Sequence, residues 1–242
     1  MKPAITLLFL LQLFLSCNGQ GHKTTETTYT QRLEYRLTGA VKEVTSYICK
    51  AEKGSIPPDT SVHVGKTTMT FDKAGNAIAI IRAWDFGTLG SSKSSSLFFG
   101  KGKDISSKET MQANGEGPKE VTYKYQWTDG YNYTIISPED SNHTTEITLD
   151  NNYQLIRNVF KQNDTILYTE EWKTTYKHNK IQEISNKSIH YGDNGTDVNY
   201  LIQVVKKSDK HGNPTIIYGY QDSSRQQVGH VIYKYYKYHE TK

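Results

Sequence analysis

The chain has 242 residues, 35% of them apolar, with 18 Tyr among its aromatics. Its 29 Lys+Arg against 25 Asp+Glu give a net charge of only +4, spread along the chain without a like-charge block. That balance makes no electrostatic case for nucleic acid or an anionic membrane surface as partner. Two cysteines exclude a disulfide-dense scaffold.

At the N-terminus Lys2 precedes an apolar run over residues 4–15. That is within the roughly 7–15 residues of a secretory h-region and short of the ~20 that a spanning helix needs. The run ends in Phe14-Leu15-Ser16-Cys17, which resembles the lipobox of bacterial lipoproteins, although Phe14 stands where Leu is usual. The ending Ser-Cys-Asn-Gly-Gln is similar to lipoproteins of the Bacteroidetes group. The resemblance implies cleavage between Ser16 and Cys17 and acylation of Cys17 on its sulfur and new amino group. It also implies an outer-membrane location. Residues 18–23 carry no acidic cluster of the kind associated with surface export in that group, which favours the periplasmic side. An ordinary signal peptide cut after Gly19 is the rival reading, and an uncleaved anchor suffers from the short h-region. With Cys17 lipidated, Cys49 has no partner and reads as a small buried hydrophobe.

The expected organisation is a signal peptide over 1–16, a polar Thr-rich tether over 17–32 and one β domain over 33–242. From Leu33 onward the apolar runs are strand-like. Val121, Tyr123, Tyr125 and Trp127 alternate with Glu120, Thr122, Lys124 and Gln126, which gives one buried and one wet face. Thr145-Ile147-Leu149 repeats the pattern, as does Trp172-Thr174-Tyr176. Residues 78–86 are apolar on both parities, and residues 231–238 close the chain with several aromatics. No segment sustains a helical stripe. The predicted fold is all-β: an antiparallel meander of hairpins forming a large curved sheet, a sandwich or a partly open barrel. Residues 87–118 are Ser- and Gly-rich without periodicity and are expected to form a mobile insertion.

Asp72-Lys73-Ala74-Gly75-Asn76 and Asp209-Lys210-His211-Gly212-Asn213 share Asp-x-x-Gly-Asn between strand-like runs. The Asp accepts hydrogen bonds from its own turn, and Gly75 or Gly212 supplies the left-handed residue that follows. Asp150-Asn151-Asn152-Tyr153 is a degenerate relative, and Asp129-Gly130 marks another hairpin. These turns resemble the YD repeats of the RHS family, in which an aromatic, Asp-x-x-Gly and a strand recur along a rolling sheet. The motifs cover some 40 residues, roughly, at irregular spacing.

No catalytic signature emerges. Gly65-Lys66-Thr67 lacks the first glycine and the helix of a phosphate loop. The Asp193–Asp197 spacing lacks the closing Glu of a calcium loop, with Val204 in its place. Glu170 and Glu171, adjacent on a strand, point to opposite faces. The sequence therefore predicts a non-enzymatic, membrane-anchored binding or structural module without cofactor or metal. Its Tyr-rich sheet would face a glycan or protein partner. The alternative is a half-barrel carrier of a lipid or amphiphile, which calls for helical plugging of the concavity.

Overall fold

The computed structural model describes residues 28–53, 55–192, 195–221 and 224–240. Ser16, Cys17 and the tether as far as residue 27 lie outside the described residues.

Fourteen strands follow one another in a single antiparallel meander: β1 (Val41–Lys50), β2 (Gly65–Phe71), β3 (Ala77–Asp85), β4 (Ser91–Lys101), β5 (Asp104–Ala113), β6 (Lys119–Trp127), β7 (Asn132–Ile136), β8 (His143–Leu149), β9 (Leu155–Gln162), β10 (Thr165–Lys177), β11 (Lys180–Gly192), β12 (Gly195–Ser208), β13 (Pro214–Tyr220) and β14 (His230–Tyr238). Each pairs with its sequence neighbours, and β14 returns to β1, with Tyr236 opposite Val44 and Ile232 opposite Ile48, so the sheet closes into a barrel. Closure leaves no edge strand, although β10 beyond Glu171 and β12 before Ile202 extend past their β9 and β13 partners. Of the three forms expected for the sheet, the barrel is the one observed, and it is closed rather than partly open.

In a closed meander alternate connections gather at the same end. The β2–β3, β6–β7, β8–β9 and β12–β13 turns therefore share one end, and these are the turns built on Asp72, Asp129, Asp150 and Asp209. Asp72 Oδ1 accepts the Gly75 and Asn76 N–H at 2.8 and 2.9 Å. Asp209 Oδ1 accepts those of His211 and Asn213, both at 2.9 Å. Gly75 and Gly212 adopt φ of +99° and +88°, the left-handed backbone that the spacing requires. Burial raises the Asp72 carboxyl, but the hydrogen bonds from Asn76, Gly75 and Ala74 prevail and hold it below the usual carboxylate range.

Two expectations need correction. The presumed insertion at 87–118 is wall: β4 and β5 pair along their length from Ser92–Ala113 to Lys101–Asp104. Its inward side chains include Ser92, Ser94 and Ser96, so no apolar alternation announced a strand. The domain also begins before residue 33. Tyr29 and Gln31 are buried, and Gln31–Glu34 forms a single helical turn, α1.

The outer wall is charged. Lys108 pairs with Glu120 at 2.8 Å, Lys161 with Glu146 at 2.5 Å and Lys237 with Glu43 at 2.8 Å, each across neighbouring strands. Residues 51–53 and 55–64 fold back over β1 and β14 outside the ring. There Tyr233 donates its hydroxyl to the Pro57 carbonyl at 2.5 Å, and Cys49 lies fully buried.

Gly212→Ala should cost about 1–2 kcal/mol through its left-handed backbone, while Lys210→Ala in the same exposed turn should stay within about 0.5 kcal/mol; thermal melts of the two variants check this. Limited proteolysis of the folded protein should spare residues 91–96 and cut first in the exposed loop at 114–118.

Candidate functional site

Strand register fixes which side chains face the lumen. Tyr133 pairs with Ile147 and Trp127, and Ile147 with Asn158, which in turn lies opposite Glu170. Followed round the ring, this inward parity includes Ile80 and Arg82 on β3, Ser96 and Phe98 on β4, and Ser107 and Glu109 on β5. Tyr123 and Tyr125 on β6 belong to it, as do Phe160 on β9 and Lys234 on β14. Tyr123, Tyr125, Tyr133, Tyr168 and Tyr236 thus face the lumen, while Tyr47, Tyr200, Tyr218, Tyr233 and Tyr235 lie on the outer parity.

Residues 28–40 run into the ring at the end bearing the Asp turns and close it. The Arg32 N–H donates to the Gly75 carbonyl at 3.0 Å. Asn213, fully buried, accepts the Thr38 N–H on Oδ1 at 2.8 Å and donates from Nδ2 to the Thr38 carbonyl and the Tyr238 hydroxyl, both at 2.8 Å. Tyr29 packs edge-on against Trp127 at 4.7 Å between ring centroids, beside Tyr133, Ile147 and Leu149. Leu37 and Tyr35 pack on the opposite wall with Val41, Val44 and Phe71. Arg36 reaches a third wall, where its Nε donates to Thr174 Oγ1 at 2.9 Å and its Nη2 to the Leu155 carbonyl. The segment is a plug tied to several sides of the ring.

Glu34 sits at the base of the plug. Its two carboxylate oxygens accept the hydroxyls of Tyr29 at 2.7 Å and Tyr133 at 2.9 Å. Burial raises its carboxyl above the ordinary range, against the lowering effect of those two hydrogen bonds and Arg36. Burial, reinforced by Glu34, also pushes up the Tyr29 and Tyr133 hydroxyls. On the far wall Lys234 is pushed down to about 8, first by burial and then by the like charge of Arg36.

Above the plug lies a cavity of about 500 Å³. Tyr29, Gln31, Glu34 and Tyr35 line its base, and Phe98, Tyr125, Ile135, Ile147 and Phe160 line its sides. Arg82 and Glu109 project into it with Nη1 3.9 Å from Oε1. Its rim, at the end opposite the Asp turns, carries Ser137, Asp140 and His143. Asp140 Oδ2 lies 2.6 Å from His143 Nδ1, and this hydrogen bond holds Asp140 below the usual carboxylate range. A volume within the ~300–1,000 Å³ range, with apolar and aromatic side chains making up about half of the lining and convergent polar groups the rest, fits a small-molecule site.

The residues singled out from sequence contribute unequally. Gly75 and Gly212 shape the turns that grip the plug but do not line the cavity, and Cys17 lies outside the described residues. Glu170 turns inward, accepting hydrogen bonds from Tyr168 and Asn158, while Glu171 turns outward toward Arg157. Arg82, Glu109 and Glu34 were not anticipated. Arg82 is the sole charge on an otherwise apolar β3 before Asp85, which was the available signal.

Glu34→Ala should destabilise the protein by about 1–3 kcal/mol for each tyrosine hydroxyl left unpaired, measured by urea unfolding. An unfolded lysine loses its proton near 10.4 and Lys234 near 8, so the unfolded chain binds more protons between about pH 8 and 10. Stability should therefore rise with pH across that window and cease to rise in Lys234→Met. Above about pH 10 the raised tyrosines reverse the trend, because the unfolded chain then loses protons that the barrel retains.

No protein-family model matches the chain, and comparison with curated proteins gives no match either.

Proposed function

We propose that this protein is a non-enzymatic binding protein whose ligand site is the lumen of its barrel, tethered to a membrane through Cys17. The observation that carries the reading is the plugged ring with an aromatic-walled cavity open at one end. It favours the carrier-like alternative over binding on an external aromatic surface. Residues 28–40 plug the ring, as a mostly non-helical segment with a single helical turn rather than the helices that alternative calls for.

The outer wall supports the anchored, water-facing arrangement. A lipid-facing strand band is apolar at alternate positions, and a Lys at mid-membrane costs about 2–4 kcal/mol. Here Lys108, Lys124, Lys161 and Lys187 occupy outward positions on successive regions of the ring. A lipid on Cys17 would hold the plugged end, where the described chain begins, and leave the rim of Ser137, Asp140 and His143 pointing away from the anchor. Two or three acyl chains make such attachment effectively permanent at about 0.8 kcal/mol per buried CH₂. The outer membrane's periplasmic side is the location that the lipobox resemblance supports. The Asp-turn hairpins support kinship with RHS-type repeats, arranged in this chain as one ring.

Fluorescence titration with N-phenyl-1-naphthylamine tests the lumen. The probe should bind with an emission increase. Phe160→Ala should weaken it by up to about tenfold, the equivalent of 0.5–1.5 kcal/mol for an aromatic contact, and the exterior Tyr235→Ala should leave it unchanged. Equal sensitivity to both variants would place binding outside the ring. Mass spectrometry of the envelope-derived protein should find acyl mass on Cys17 as first residue, and an unacylated chain starting at Gln20 would contradict the anchor.

A further inference from the structure

The polar pair inside the cavity narrows the ligand. Arg82 has a planar fork of five N–H donors, yet its polar contacts are a long hydrogen bond from Nη1 to Ser96 Oγ at 3.5 Å and the 3.9 Å approach to Glu109. A closed guanidinium–carboxylate pair makes two parallel bonds near 2.7–2.9 Å. This pair is drawn up but not closed, and among the described residues none donates a hydrogen bond to Glu109. Both groups border the cavity, with side chains 36% and 22% exposed.

We propose that the lumen takes a small soluble α-zwitterion with an apolar or aromatic body, its anionic group on Arg82 and its cationic group on Glu109. The proposal rests on lumen binding as the protein's function. A ligand of one charge would pair with one partner and leave the other covered and unpaired, which is costly in a part-buried site. A neutral ligand would desolvate both. A ligand carrying both signs satisfies both, provided its charges are close together, because the protein's charges stand 3.9 Å apart. That spacing suits groups on one carbon, as in a free amino acid, and not the ends of a long chain. Phe98, Tyr125, Ile135 and Phe160 offer the body an apolar wall. The base is already committed: Glu34 has both oxygens occupied by tyrosine hydroxyls, so it does not compete for the ammonium group.

Isothermal titration of the full chain with L-phenylalanine tests this, alongside phenethylamine, which lacks the carboxylate, 3-phenylpropanoate, which lacks the ammonium group, and phosphoethanolamine, a zwitterion of lipid headgroup type. L-Phenylalanine should bind at least about tenfold more tightly than either singly charged analogue and than phosphoethanolamine, in keeping with charge-assisted hydrogen bonds. Arg82→Gln and Glu109→Gln should each weaken it by about tenfold or more with the melting temperature close to wild type. L-Phenylalanine binding no better than its analogues, or untouched by both variants, overturns the proposal. Tighter binding of phosphoethanolamine overturns it in favour of a lipid headgroup. If the neutral probe binds inside while no zwitterion does, the ligand class is wrong and the lumen reading stands. If nothing enters, both fall.

Discussion

A ring of fourteen strands encloses more space than the side chains of its own inner face can fill. About eight strands give an interior that side chains just fill, and diameter grows with strand number. The remaining volume must be occupied, wetted or closed off. This chain closes one end with its own residues 28–40, and most of the features of the interior follow from that insertion. The plug carries charged side chains, Glu34 and Arg36, into a place where charge is expensive. Each is met by a group placed for it: two tyrosine hydroxyls for Glu34, and Thr174 with the Leu155 carbonyl for Arg36.

The Asp turns acquire their meaning from the plug as well. As hairpin chemistry they are local, an Asp bonding its own backbone and a glycine turning the chain. The asparagine that follows the glycine does something non-local. Asn213 binds Thr38 with both ends of its amide, and Asn76 accepts the Gly102 N–H, fastening one turn to the next connection around the same end. One short motif thus turns the chain and also supplies the collar that holds the plug. The cavity then forms above, where the plug stops and the tyrosines of β6 and β7 continue.

Local patterns were legible in the sequence and long-range ones were not. The alternation Val121-Tyr123-Tyr125-Trp127 shows a strand with one distinctive face, and that face looks into the lumen. The turn glycines were readable from spacing to Asp. The hairpin β4–β5 was not readable, because strand detection relies on an apolar inner face, and a partly polar lumen tolerates Ser92, Ser94 and Ser96 there. Closure of β14 onto β1 joins residues nearly the whole chain apart, for which periodicity holds no information. The plug was hidden for a third reason: a single helical turn cannot display a 3.6-residue stripe, and Glu34 and Arg36 look like surface residues until the ring surrounds them.

Hydrogen exchange along residues 28–40 tests the plug most directly. The Arg32 amide donates to the Gly75 carbonyl and the Thr38 amide to Asn213, so both should open only with the barrel. Protection at these two amides should equal that of the β1 and β14 amides that close the ring. Exchange at the rate of the exposed loop at 114–118 would show a ring that stands open at both ends, and would contradict a lumen closed at its base by the chain's own N-terminal segment.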